Sequence, residues 1–336
     1  MTMVARVDAV TRGDASLFAE ARNGLIPGHW FAIALALSLA AVVMMLFRER
    51  LGIQASMLSG SLFAAGGAAA IGLRYHCRDA ITHRRRLIRD LAEYVGIFAL
   101  IALLGAVASY PLAAASHGFV DPTLARIDHA LHFDWPRWYG FVAAHRGLQL
   151  LGGAAYASIF VTPALILFHY AHAGKRAEAR LFLAAFWMAA VLTLLLFPFV
   201  PAEGPLAYLW RHHIPYMPAS ALYQAELIPA LRQHAIGAVG LGDLRGLVCA
   251  PSFHTTSAVI YIWAALRIPA LRWPLTALNV AMLASTPVEG THYLTDMICG
   301  AGVAFAAISA AGVLSRRLQI APADLNDRGA SARAAG

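Results

Sequence analysis

Eight apolar stretches limit this chain to one kind of architecture. They run over 29–47, 53–73, 91–115, 149–170, 181–200, 254–270, 273–290 and 292–314, close to the ~20 residues a helix needs to cross a hydrocarbon core. The expected fold is all-α: a polytopic membrane helix bundle with about eight transmembrane helices. Pro269, Pro274 and Pro287 mark the ends or kinks of the last three spans. Composition excludes the two soluble domains that the length of 336 residues would allow. The chain is 60% hydrophobic and 13% charged, with a mean hydropathy of +0.62, whereas soluble domains carry about 25% charged residues.

Arginines between the spans set the orientation. Arg74, Arg78, Arg84, Arg85, Arg86 and Arg89 crowd the loop 74–90; Lys175, Arg176 and Arg180 the loop 171–180; Arg267 and Arg272 the turn near 270; Arg316 and Arg317 follow the last span. All four groups fall on one face if every span crosses, and the positive-inside rule makes that face cytoplasmic. The turn 48–52, with Arg48 and Arg50 around Glu49, disagrees and is outvoted. The segments 116–148 and 201–250 are then external. The first, with Trp135 and Trp138, reads as helices lying on the membrane; the second is long, and long loops in compact folds are usually functional. Residues 1–28 lack the apolar core of a signal peptide, so the first span is expected to be retained.

The net charge of +8 reflects these topological arginines, and no nucleic-acid motif accompanies it. Cys77, Cys249 and Cys299 form no CxxC pair and suit no zinc site. His212, His213 and His234 lack a carboxylate at ligand spacing, so no metal and no cofactor is expected. The chain divides into an N-terminal segment 1–90 with two spans and a basic loop, a six-helix core 91–314 and a tail 315–336 whose composition reads as disordered.

Chemistry concentrates in 249–300. His292 and Asp296 are four residues apart and share a helix face. His254 opens the span two before, at the same membrane face, and Ser252 precedes it near a helix N-terminus, where free backbone N–H groups favour an anion. Ionisable groups at membrane edges are costly and mark function. Phosphoryl transfer without a metal needs a nucleophile, an acid for the leaving oxygen and donors for the phosphate oxygens. His292, oriented by Asp296, suits the first role, His254 the second, and the Ser252 hydroxyl the third.

Pro251-Ser252-Phe253-His254 and Gly290-Thr291-His292 with Asp296 resemble the second and third motifs of the type 2 phosphatidic acid phosphatase superfamily. The resemblance covers about 91–314 and implies a six-helix core, a phosphohistidine on His292, and His254 as acid. The Pro-Ser-Phe-His-Thr form, His-Tyr-x-x-Asp-x-x-x-Gly and Pro201-Ala-Glu-Gly-Pro205 are similar to the branch containing inositol phosphorylceramide synthases and many bacterial proteins. The family's first motif, a lysine and then Arg-Pro, is absent, and Ser285-Thr286 stands where its third motif begins Ser-Arg. External arginines are the candidate replacements, because a guanidinium binds phosphate bidentately: Arg245 first, then Arg211, with Arg232 a third.

The expected partner is a lipid substrate in the bilayer, and the expected location is the bacterial inner membrane with the site facing outward. The expected activity is a metal-independent lipid phosphatase or phosphotransferase, inositolphosphotransferase-like. A transporter would spread its ionisable groups along several helices, and a non-catalytic membrane protein would not need an intact His-His-Asp set.

Overall fold

The computed structural model describes residues 25–79 and 81–334, with side chains up to Leu318. Thirteen α-helices follow in chain order among the described residues. Three long ones come first: α1 (Gly28–Arg48), α2 (Met57–His76) and α3 (His83–Ala115). Two short helices, α4 (Asp121–Ala130) and α5 (Trp135–Ala144), precede α6 (Arg146–Ala157) and α7 (Val161–His172). Next come α8 (Arg176–Leu196), α9 (Pro205–Leu209), α10 (Tyr223–Arg232), α11 (Phe253–Ala265), α12 (Arg272–Glu289) and α13 (Leu294–Ala334). The all-α expectation holds apart from one pair of three-residue strands: β1 (Gly52–Gln54) lies parallel to β2 (Ala238–Gly240) and ties the first turn to the long loop.

Each apolar stretch forms helix, but not each is long and apolar enough to cross a membrane. Five pass on length and composition: Gly28–Arg48, Met57–His76, His83–Ala115, Arg176–Phe199 and Leu294–Leu318. A sixth span forms if α6 and α7, bent by 41° at their junction, count as one. Of the eight expected spans, α11 and α12 do not pass this measure of length and apolarity. The 13 residues of α11 rise only ~20 Å. In α12, Asn279 and Thr286 are fully buried and bond the carbonyls of Leu275 and Met282 at 2.7 Å each, so protein rather than lipid encloses its polar groups.

The bundle centre is α8. Its Phe182, Ala185 and Ala189 have no more than trace exposure, and Ala304, Ala307 and Ala311 of α13 face the same core. Alanines three and four apart let the two helix backbones approach closely. Arg74, Arg176 and Arg180 from two of the arginine-rich loops meet on Asp90 and Glu93, while 201–204 and Ser252 meet 291–296. The segment expected to lie on the membrane differs in one respect: Trp135 is 1% exposed and donates to the Pro287 carbonyl at 2.8 Å, so it is a packing residue and no interfacial anchor. Helix α13 continues past Leu318 to Ala334; the side chains of the tail lie outside the described residues.

At the arginine end a buried ion cluster pins the first helices to the core. Arg180 of α8 donates to Glu93 of α3 at 2.9 and 2.7 Å and to the Ile26 carbonyl at 2.8 Å, while Arg74 of α2 lies 2.9 Å from the other Glu93 oxygen. Asp90 holds Arg89 and Arg176 one turn away. Removing one member of a buried pair leaves the other charge uncompensated, at a cost of roughly 3–5 kcal/mol. Glu93→Ala is expected to lower the unfolding midpoint in detergent by several degrees; an unchanged midpoint would mean that water already serves Arg180.

Candidate functional site

The site is built where α11 and α13 begin. The Ser252 side chain accepts from Thr255 N at 3.3 Å and caps α11, and its backbone N–H donates to the Asp296 carbonyl at 3.0 Å. The hydroxyl expected to meet phosphate is thus fully buried and engaged as a cap. A Cβ on Gly300 would collide with the Ser252 carbonyl, so the glycine four residues after Asp296 is what lets α13 lie against the start of α11.

His292 and Asp296 meet as expected, Nδ1 to Oδ2 at 3.3 Å, with both residues buried. The contact fixes Nδ1 as the bonded nitrogen and leaves Nε2 open. The ring of His254 lies with its centroid 6.4 Å from that of His292. Its Nδ1 is 3.0 Å from the Tyr156 hydroxyl, and the two rings stack at 3.9 Å. Both histidines are therefore held through Nδ1, and their rings lie 6.4 Å apart centre to centre.

Three glycine and threonine positions explain the motif spacing. A Cβ on Gly290 would lie 2.5 Å from His292 Cδ2 and 2.8 Å from the Thr286 carbonyl. Thr291 has φ +49°, an unfavourable value for a β-branched residue and a mark of stored strain. Gly204, at φ +96°, packs so that a Cβ would meet the Thr291 carbonyl at 3.0 Å, which brings Pro201-Ala-Glu-Gly-Pro205 against the catalytic turn. Gly290→Ala is expected to lower the unfolding midpoint, because the Thr286 backbone must shift, and to lose about a hundredfold in kcat/KM as His292 moves by ~1 Å. Matching thermal melts with wild-type kinetics would show that the ring has room to move.

Two carboxylates that the sequence reading passed over hold this frame. Asp121, with no exposure, accepts from Glu203 N and Gly204 N at 3.0 Å each and from the Tyr293 hydroxyl at 2.9 Å. Asp128, seven residues later on the same face of α4, accepts from Leu294 N and Thr295 N at 2.8 Å and caps the helix that carries Asp296. Burial and Asp121 push Glu203 above its ordinary range, and Arg211 pulls it back. On the other flank Glu289 accepts from the Tyr216 hydroxyl at 2.7 Å and from Ala219 N at 3.2 Å. Burial, and then Glu289, push the Tyr216 phenol up, so it remains a donor.

Cys249 completes the cluster. Its thiol lies 3.4 Å from Asp296 Oδ2 and 4.0 Å from His292 Nδ1. Cys249, His292 and Asp296 thus bring sulfur, nitrogen and oxygen within 4.8 Å of one another, a spacing that could hold an ion. Burial, then the nearby Asp296 and Asp121, raise the thiol well above its ordinary range. A protonated thiol donating to Asp296 accounts for the grouping by hydrogen bonding alone.

The arginines are less central than expected. Arg245 is exposed, its guanidinium lies 4.5 Å over the Tyr223 ring, and its backbone N–H donates to the Tyr110 hydroxyl. Arg232 is occupied by Ser116 and the Gly118 carbonyl. Arg211 is exposed beside Glu203, on the loop that touches Thr291. Among the described contacts none of the three reaches either catalytic histidine.

No curated protein and no solved structure matched the chain. A family model described as the PAP2 superfamily matches residues 122–310, from the helix of Asp128 through both histidines and into the first half of α13. That is more than half of the 336 residues, and with the paired histidines at one end of an apolar bundle, the chain belongs to the PAP2 superfamily.

Proposed function

We propose that this integral membrane protein is a lipid phosphatase or phosphotransferase working through His292. The observation that carries the reading is the pair of imidazoles 6.4 Å apart, one bonded through Nδ1 to a buried carboxylate. Nε2 of His292 attacks phosphorus; the bond from phosphorus to the ester oxygen breaks, and the departing oxygen takes a proton from Nε2 of His254. His254 then removes a proton from the acceptor, which attacks phosphorus and breaks its bond to His292. Water as acceptor gives hydrolysis, and a lipid alcohol gives headgroup transfer, as in the inositol phosphorylceramide synthases that the Pro-Ser-Phe-His-Thr form resembles. For the phosphate clamp, Arg211 stands on the loop whose Gly204 packs against Thr291, whereas the Arg245 guanidinium lies over Tyr223. No step requires a metal.

The test is incubation of purified protein with a panel of lipid phosphates and phospholipids, with released phosphate and new phospholipids both measured. Acid-labile, base-stable label trapped by rapid quench supports the phosphohistidine; turnover without such label rules it out. The orientation is tested separately. A cysteine at exposed Gln233 is expected to react with an impermeant reagent in intact cells and one at exposed Ala173 is not. The reverse pattern would put the site on the cytoplasmic face.

A further inference from the structure

A groove of about 280 Å³ opens between α5, α6 and α12, lined by Phe141, Leu151, Gly152, Ala281, Ala284 and Glu289 among others. Its rim faces the surroundings: Phe141, Leu151 and Trp138 are all exposed apolar side chains. Its lining is almost wholly apolar. Both Glu289 oxygens accept hydrogen bonds, from Tyr216 and Ala219, and the Ser285 hydroxyl donates to the Met282 carbonyl at 2.9 Å. Besides these engaged groups the lining offers only the Trp138 indole at the exposed rim, so hydrocarbon is the occupant that the lining fits.

The inner end adjoins both halves of the site. Glu289 is followed directly by Gly290, whose Cα packs on His292, and Gly152 lies one turn before Tyr156, which stacks on His254. Resting on the reading above, we propose that this groove seats a hydrocarbon tail of the lipid substrate, entering sideways from the bilayer between α5, α6 and α12, with its phosphate ester between the two histidines. A larger groove of about 520 Å³ between α1, α3 and α8, lined by Ala41, Leu104 and Leu194 among others, is the competing seat.

Ala284 is exposed into the first groove and Ala41 into the second, so tryptophan at either fills one groove without entering the bundle interior. The kcat/KM for dioleoyl phosphatidic acid, divided by that for p-nitrophenyl phosphate, is expected to fall about tenfold in Ala284→Trp, as for roughly two methylenes unseated. It should keep its wild-type value in Ala41→Trp. A phosphatidic acid carrying a diazirine midway along its tail gives a readout free of turnover, and its photolabel should map to 138–152 and 281–289. An unchanged ratio in Ala284→Trp, or label confined to α1, α3 and α8, overturns the proposal. If the wild type hydrolyses neither ester, the lipid panel above decides the proposed function and the photolabel alone decides the groove.

Discussion

His292→Ala is expected to abolish both turnover and trapped label, because the attacking nitrogen itself is gone. Asp296→Asn tests the same arrangement more finely. Its Oδ2 holds His292 Nδ1 at 3.3 Å and also accepts from Tyr293 N at 3.1 Å and from the Cys249 thiol. An amide of the same shape keeps much of this packing but can present its NH₂ to the ring, which favours the tautomer with the proton on Nε2 and so blocks attack. The loss should be on the order of 10³–10⁴ in kcat, the size seen when the orienting carboxylate of a catalytic triad is replaced by its amide. Label that persists in the His292 variant would move the nucleophile elsewhere.

The second large effect belongs to His254. An imidazole stacked under Tyr156 and beside a second imidazole holds a proton only against a nearby anion, so the bound phosphate itself must supply the charge that makes it an acid. General acid catalysis is worth about 10²–10⁴. His254→Ala is expected to lose that much on phosphatidic acid and far less on p-nitrophenyl phosphate, whose leaving group departs without a proton. Equal losses on both esters would mean that His254 positions the phosphate and transfers no proton.

The part of this site that was legible in the sequence is the part written in side chains. The spacing of His292 and Asp296 was read as one helix face, and they do meet, although α13 begins at Leu294 and His292 stands in the turn before it; His254 was placed at the same end by counting spans. Asp121 and Asp128 were passed over because most of their partners are backbone N–H groups at 203–204 and 294–295, which leave no trace in residue type, and the hydroxyls of Tyr293 and Thr295 that join them are more than 160 residues away in sequence. Their spacing of seven on an amphipathic helix was the available signal. The eight apolar stretches marked where helices lie, but apolarity cannot tell lipid from protein as a neighbour; α12 encloses Asn279 and Glu289 by packing against other helices. Arg245 was favoured from its separation of seven residues from Ser252, yet a guanidinium over Tyr223 is a contact that no linear distance reveals.

The cap on α13 has a consequence for where a phosphate will settle. Two helix starts converge here, and each presents the positive end of its peptide dipoles. At α13 the Asp128 carboxylate already neutralises that end. At α11 the first turn contains no acidic residue, and the capping group is the uncharged Ser252. An incoming dianion therefore meets one compensated terminus and one uncompensated one, and the second is where His254 stands. Under the proposed function, this asymmetry would turn the phosphate oxygens toward α11 and present the phosphorus to His292.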